Sequence, residues 1–134
     1  MKAISLWQPW ASLVIDGRKR IETRSWKAPG FLIGQQLAIY ATKRVDVDFA
    51  AECGYGATIP RGAILGVVLL TGCERFTEGF SRAIAVDVEA RYGDFTPGRW
   101  GWFLTVIEKF PHPYEQRQAR VLFDWEFPKK AESA

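Results

Sequence analysis

Gly17-Arg18-Lys19-Arg20-Ile21-Glu22-Thr23-Arg24-Ser25-Trp26 is the stretch on which the reading of this chain turns. From Arg20 onward its residues alternate with the period of a strand. That sets Ile21, Thr23 and Ser25 on one side and Arg20, Glu22, Arg24 and Trp26 on the other. One side thereby collects the cations, the carboxylate and the indole. Just upstream, Pro9 in Trp7-Gln8-Pro9-Trp10 suits the first residue of a helix, where its missing N–H leaves nothing unpaired. Trp10, Leu13 and Val14 form one apolar stripe at helical spacing, and Asp16-Gly17 supplies the stop, because glycine enters the left-handed region freely. Ala3 to Leu6 reads as a short strand before that helix.

Working outward, Pro29-Gly30 marks a turn, Gln36 to Ala41 a further strand, and Val47 to Glu52 a short helical stretch. Ile64-Leu65-Gly66-Val67-Val68-Leu69-Leu70 is apolar enough for a central strand, with a glycine that permits a bend of the barrel-corner type. Ser81 to Tyr92 carries Ile84, Val88 and Tyr92 on one helical stripe, and Thr96-Pro97-Gly98 is a tight connection. Trp100 to Glu108 reads as a strand broken by Pro111 and Pro113, and Val121 to Phe127 as a last one. Short turn-separated strands with short helices predict an α+β fold, a small closed or half-closed β-barrel of about five to six strands with flanking helices. The expected organisation is one domain over 1–128 and a polar tail over 129–134.

The 134 residues are 48% hydrophobic and 25% charged, which excludes disorder, collagen and coiled coil. Apolar runs such as Gly62–Cys73 stop well short of the ~20 residues that cross a bilayer. Pro9 interrupts the opening apolar run before a signal-peptide core forms, so a cytoplasmic protein without membrane association is expected. Cys53 and Cys73 read as buried reduced thiols; no metal-ligand spacing or phosphate-cradling glycine loop appears, and no cofactor is expected, although carboxylate-held metal leaves no sequence pattern. His112, between two prolines, reads as a surface turn residue. Residues 1–44 hold eight bases against two acids, a balance of +6, while 45–134 hold ten against thirteen. A concentrated positive patch favours polyanions. Aromatic content of 14%, with six tryptophans, exceeds what a core of this size needs, so some rings are expected in a groove where they stack bases beside Arg and Lys. At least four of the six indoles are expected in core or half-core packing.

Ser5-Leu6-Trp7-Gln8-Pro9-Trp10-Ala11-Ser12 followed by Gly17 to Trp26 resembles the ASCH family of the PUA-like superfamily, whose signature Gly-x-Lys-x-x-Glu-x-Arg is met at Gly17, Lys19, Glu22 and Arg24. Gly34 with Leu37 to Ala41, and Gly93 to Trp100 with Trp102, are similar to further parts of the family, so that the resemblance covers about residues 3–127. It implies a PUA-like barrel with a cleft beside the first helix and a role in binding RNA or a modified base. One branch hydrolyses N4-acetylcytidine with a lysine, a threonine and a glutamate. Lys19 matches that lysine, Glu22 stands at the threonine's position, and Thr23 points to the other side of the strand. No residue matches the glutamate securely, Glu89 lying only in about the right region, and Tyr40 occupies a place where relatives often carry histidine.

The candidate ligand-binding residues are therefore Ser5, Gln8, Lys19, Glu22, Arg24 and Trp26. Two cations beside one carboxylate favour its ionised form. Glu22 would then accept a hydrogen bond from a base amino group while Lys19 and Arg24 remain free for phosphate or carbonyl oxygen. Gln8 beside Pro9 has capping as its alternative role, and Trp26 is the candidate stacking surface. The expected function is recognition of an unstacked or modified base or nucleotide, foremost in RNA. The rival is a ribonuclease or nucleoside amidohydrolase using Lys19 and Glu22 as catalytic acid–base pair in the same cleft, and a third reading is a protein-interaction module.

Overall fold

The computed structural model describes residues 1–117 and 120–128, so that the tail 129–134 expected from composition lies outside the described residues. The chain runs β1 (Lys2–Gln8), α1 (Trp10–Ile15), β2 (Ile21–Arg24), β3 (Gln36–Val45), α2 (Val47–Glu52), β4 (Ala63–Arg75), α3 (Glu78–Ile84), β5 (Trp100–Glu115) and β6 (Leu122–Asp124), with 3-10 turns at Gly30–Leu32 and Val88–Arg91. Six strands form one sheet in the order β2-β5-β4-β3-β1-β6. β1 runs parallel to β3, pairing Ile4 with Ile39, and the other neighbours are antiparallel.

Alternation along β3 serves two cores. Leu37, Ile39 and Ala41 join Ile4, Leu6, Val14, Ile15, Val68 and Trp102 under α1. Ala38 and Tyr40 pack with Ile64, Val67, Phe110 and Trp125 on the opposite side. Burial on both faces explains why β3 and β4 read as continuous apolar runs rather than half-polar ones. α1 ends as its sequence indicates, with Gly17 at φ +76°. α2 and α3 begin on side-chain caps, Asp46 accepting from the Phe49 N–H and Thr77 from the Phe80 N–H.

The α+β class and the six strands match the expectation; closure does not. The sheet ends at β2 and β6, because β6 occupies the edge of β1 along Lys2–Ile4 that closure onto β2 would require. Five local expectations are also corrected. The helix expected over 81–92 is split, since the Asp87 carboxylate accepts from the Glu89 N–H and starts a separate 3-10 turn. β5 continues past Pro111 and Pro113, which fall in a register shift where Gly66 pairs with Lys109 and Ile64 already with Tyr114; surplus residues there leave the ladder, so missing N–H groups cost nothing. His112 accordingly lies exposed on a strand, not in a turn. The helix starts at Trp10, one residue after Pro9, and Cys73 is only half-buried, whereas Cys53 is buried. No helix among the described residues is long and apolar enough to cross a membrane.

Candidate functional site

The open seam between β1 and β2 contains a cavity of about 660 Å³. One wall is Ser5 and Trp7 of β1, the other Glu22 and Arg24 of β2 with Trp26 beyond it, and Trp10 contributes from the start of α1. Arg91 to Asp94, with Arg99, form the far side. Because β2 is an edge strand, Thr23 and Ser25 also reach the cavity, contrary to the one-sided reading of the alternation. Arg20 does not; it lies toward Asp87 and Glu89, each at 3.6 Å.

Glu22 stands between two cations. Its Oε2 is 3.0 Å from Arg24 Nη2 and its Oε1 is 3.6 Å from Lys19 Nζ. Arg24 Nη2 also donates across the seam to the Ser5 carbonyl at 3.1 Å, and Arg24 Nε is buried with no partner among the described residues. Arg24 thus joins the two walls with side-chain bonds where no ladder exists.

Lys19 is fully buried and does not line the cavity. Its ammonium donates to the carbonyls of Ile21 at 2.5 Å and Tyr92 at 3.1 Å, so it is not free for a phosphate. Burial lowers its pKa from the ordinary lysine value, and the charges of Glu22 and Glu89 oppose that shift. Glu89 is likewise fully buried; one oxygen accepts from the Arg20 N–H, and Oε2 has no partner among the described residues.

Gln8 also lies outside the cavity. Its amide accepts from the Ser12 N–H at 2.9 Å and donates to Ser12 Oγ and the Pro60 carbonyl, which is the capping alternative. Ser5 reaches the cavity while its hydroxyl donates to the Arg120 carbonyl at 3.0 Å. Trp26 is 38% exposed and meets the buried Trp102 edge-on at 4.9 Å between ring centres. Tyr40 is buried in the second core, its hydroxyl on the Gln116 carbonyl, away from the seam. Of the indoles, Trp102 and Trp125 are buried, Trp10 and Trp100 half-buried, and Trp7 and Trp26 exposed.

Sequence reading did not single out Trp7, Arg91, Asp94 or Arg99 as cavity residues. Trp7 reaches it from β1, whereas Arg91, Asp94 and Arg99 depend on the 85–99 segment folding back onto β2, where the Asp94 N–H donates to Thr23 Oγ1 at 3.0 Å. Arg99 holds Asp94 through its main-chain oxygen at 3.2 Å and its carboxylate at 3.5 Å. The Thr96 hydroxyl and N–H, followed by the Arg99 charge, keep the Asp94 pKa below its usual value. The signals in the sequence are the family-like stretches that hold Trp7 and Gly93 to Trp100, the latter a polar turn next to an arginine and an indole. Among the described residues, no group of three His, Cys, Asp or Glu side chains is arranged to hold a metal ion.

The profile of the ASCH domain family matches residues 4–126. No curated protein matches the chain. Among solved structures it is similar to the ASCH protein of Zymomonas mobilis, at TM-score 0.61 and 17% identity over 93% of this chain and 87% of that one. A tyrosine-to-phenylalanine variant of that protein matches at TM-score 0.54 and 18% identity, covering 85% and 74%. A serine-to-alanine variant matches at TM-score 0.57 and 17% identity, covering 93% and 87%. At such identities these likenesses speak to the fold. The family profile, extending from the first strand past the last, carries the assignment: this chain belongs to the ASCH domain family, whose PUA-like fold is generally associated with RNA binding.

Proposed function

We propose that this chain binds an unstacked base or nucleotide of nucleic acid, RNA foremost, in the cavity between β1 and β2. The observation that carries the reading is the union, in one cavity, of the exposed indole of Trp26 with the Glu22–Arg24 pair. An indole supplies a stacking face for any base, a carboxylate accepts from an exocyclic amino group, and a guanidinium donates to phosphate or carbonyl oxygen. Arg24 and Arg99 both reach the cavity already paired with carboxylates, whereas Arg91 lines it with no ion pair among the described residues, so the site offers oriented donors and one further cation.

Quenching of tryptophan fluorescence and calorimetry with the four nucleoside 5′-monophosphates and single-stranded RNA test this reading. Trp26→Ala is expected to weaken binding by about tenfold, the range of one base–aromatic stack. Arg24→Ala is expected to weaken it and to reduce the salt slope by about 0.7. Unchanged affinity in both variants would reject the site, and a protein recovered by pull-down without any nucleotide binding would favour the interaction-module reading.

One observation favours a hydrolytic second reading: the Glu22 carboxylate lines the cavity and is fixed there between Lys19 and Arg24. Since Nζ is sealed from the cavity, only Glu22 would meet substrate, as base toward a water. Incubation with RNA and with acylated nucleosides decides it, because product formation that vanishes in Glu22→Gln would replace binding by turnover.

A further inference from the structure

Two cation–indole pairs flank the cavity, one at each wall of the seam; Trp7 of the first pair lines the cavity, and the other three side chains lie outside it. On the β1 side the Arg44 guanidinium lies 5.0 Å from the ring centre of Trp7, an indole that is 51% exposed. Arg44 is near the end of β3, the strand paired with β1, which accounts for its place alongside Trp7. On the β2 side Lys27 Nζ lies 5.9 Å from the ring centre of Trp100, whose strand position is opposite Arg24. Lys27 directly follows Trp26. Neither Arg44, Lys27 nor Trp100 lines the cavity, and neither cation makes an ion pair among the described residues.

A nucleotide filling the cavity would leave both outer cations facing water. A polymer passing through it would place a phosphate and a base near each of them. Cations held against aromatic faces are the arrangement by which single strands are tracked, the charge meeting the backbone and the ring meeting the base. We infer that the site accepts an internal nucleotide of a single-stranded nucleic-acid chain, with Arg44 and Lys27 holding the flanking phosphates and Trp7 and Trp100 offering surfaces to the flanking bases. The inference rests on the nucleotide-binding reading of the cavity and adds the substrate class: a strand rather than a free nucleotide. A duplex does not fit, since its bases are already stacked and its backbones cannot follow a path across the seam one nucleotide at a time.

Calorimetric titration of the full chain with mixed-sequence oligonucleotides of one, three and five nucleotides, in ribo and deoxyribo series, tests it against a hairpin duplex. Affinity is expected to rise at least about tenfold from one to three nucleotides, the worth of one added stack. Arg44→Gln with Lys27→Gln should remove most of that increment while leaving mononucleotide affinity unchanged, because neither side chain lines the cavity. The ribo and deoxyribo arms then identify which polymer is preferred. Equal affinity at all lengths, or a duplex binding as tightly as a single strand, overturns the strand path and leaves the cavity reading standing. Absence of binding at every length overturns both.

Discussion

The ammonium of Lys19 and the main-chain oxygen of Tyr92 are 3.1 Å apart, which ties the approach to β2 to the segment forming the far side of the cavity. The same ammonium faces Glu22, so one buried cation fixes both a wall and a lining carboxylate.

Lys19→Met should therefore destabilise the protein by about 3–5 kcal/mol, the cost of removing one partner from a buried charge pair. Urea unfolding measures it; a loss below about 1 kcal/mol, typical of exposed pairs, would contradict the assignment. The pH dependence has a defined sign. Because the folded-state pKa lies below 10.5, the unfolded chain binds more protons between the two values, and stability from this group rises with pH across that interval. In Lys19→Met that rise should be absent from a plot of Tm against pH.

Asp94 acts at the acid end, with the same sign. Its pKa is lowered from 3.8 by the Thr96 hydroxyl first, so its stabilisation is complete above that pH and lost as pH falls through the lower folded value. The difference in Tm between the natural protein and Asp94→Asn is expected to vanish at the acid end and to be constant above pH 5. A difference independent of pH would exclude the carboxylate as its source.

Gly66→Ala should unfold more readily by about 1–3 kcal/mol or more, since a Cβ there would run into the Glu108 carbonyl oxygen and reach 3.0 Å from Ile15. The carbonyl belongs to the adjoining strand and has little room to yield. Gly30→Ala meets nothing within 4 Å and serves as the comparison, with no change of midpoint expected.

Trp26 and Trp102 touch edge to face yet should separate in their effects. Trp102→Ala, at a fully buried position, is expected to cost about 3–5 kcal/mol. Trp26→Ala should cost no more than about 1.5 kcal/mol, the worth of the aromatic pair, and act chiefly on nucleotide affinity. Equal destabilisation by the two would make Trp26 a packing residue.

Much of this molecule was legible where local chemistry decides. Gly17 stops α1, the apolar run around Gly66 is a central strand, and Glu22 and Arg24 share a side of β2. What escaped is set by contacts distant along the chain. Nothing near Lys19 reveals that Tyr92 will cover it, and alternation alone cannot tell that an edge strand exposes Thr23 as well as Glu22 to one cavity. Proline likewise misled at β5, because its tolerance depends on a register shift against β4 that only the partner strand defines. Gln8 could have been read either way, and its capping bonds to Ser12 depend on the six-residue helix that the stripe of Trp10, Leu13 and Val14 marks.

A hoop must break to widen, whereas a cuff with a gap only has to flex. Among the described residues no main-chain hydrogen bond joins β1 to β2, and the guanidinium of Arg24 spans the gap to Ser5. Under the proposed function, a planar guest that parted these strands would cost a side-chain clasp instead of a ladder, and would meet the arginine it displaced.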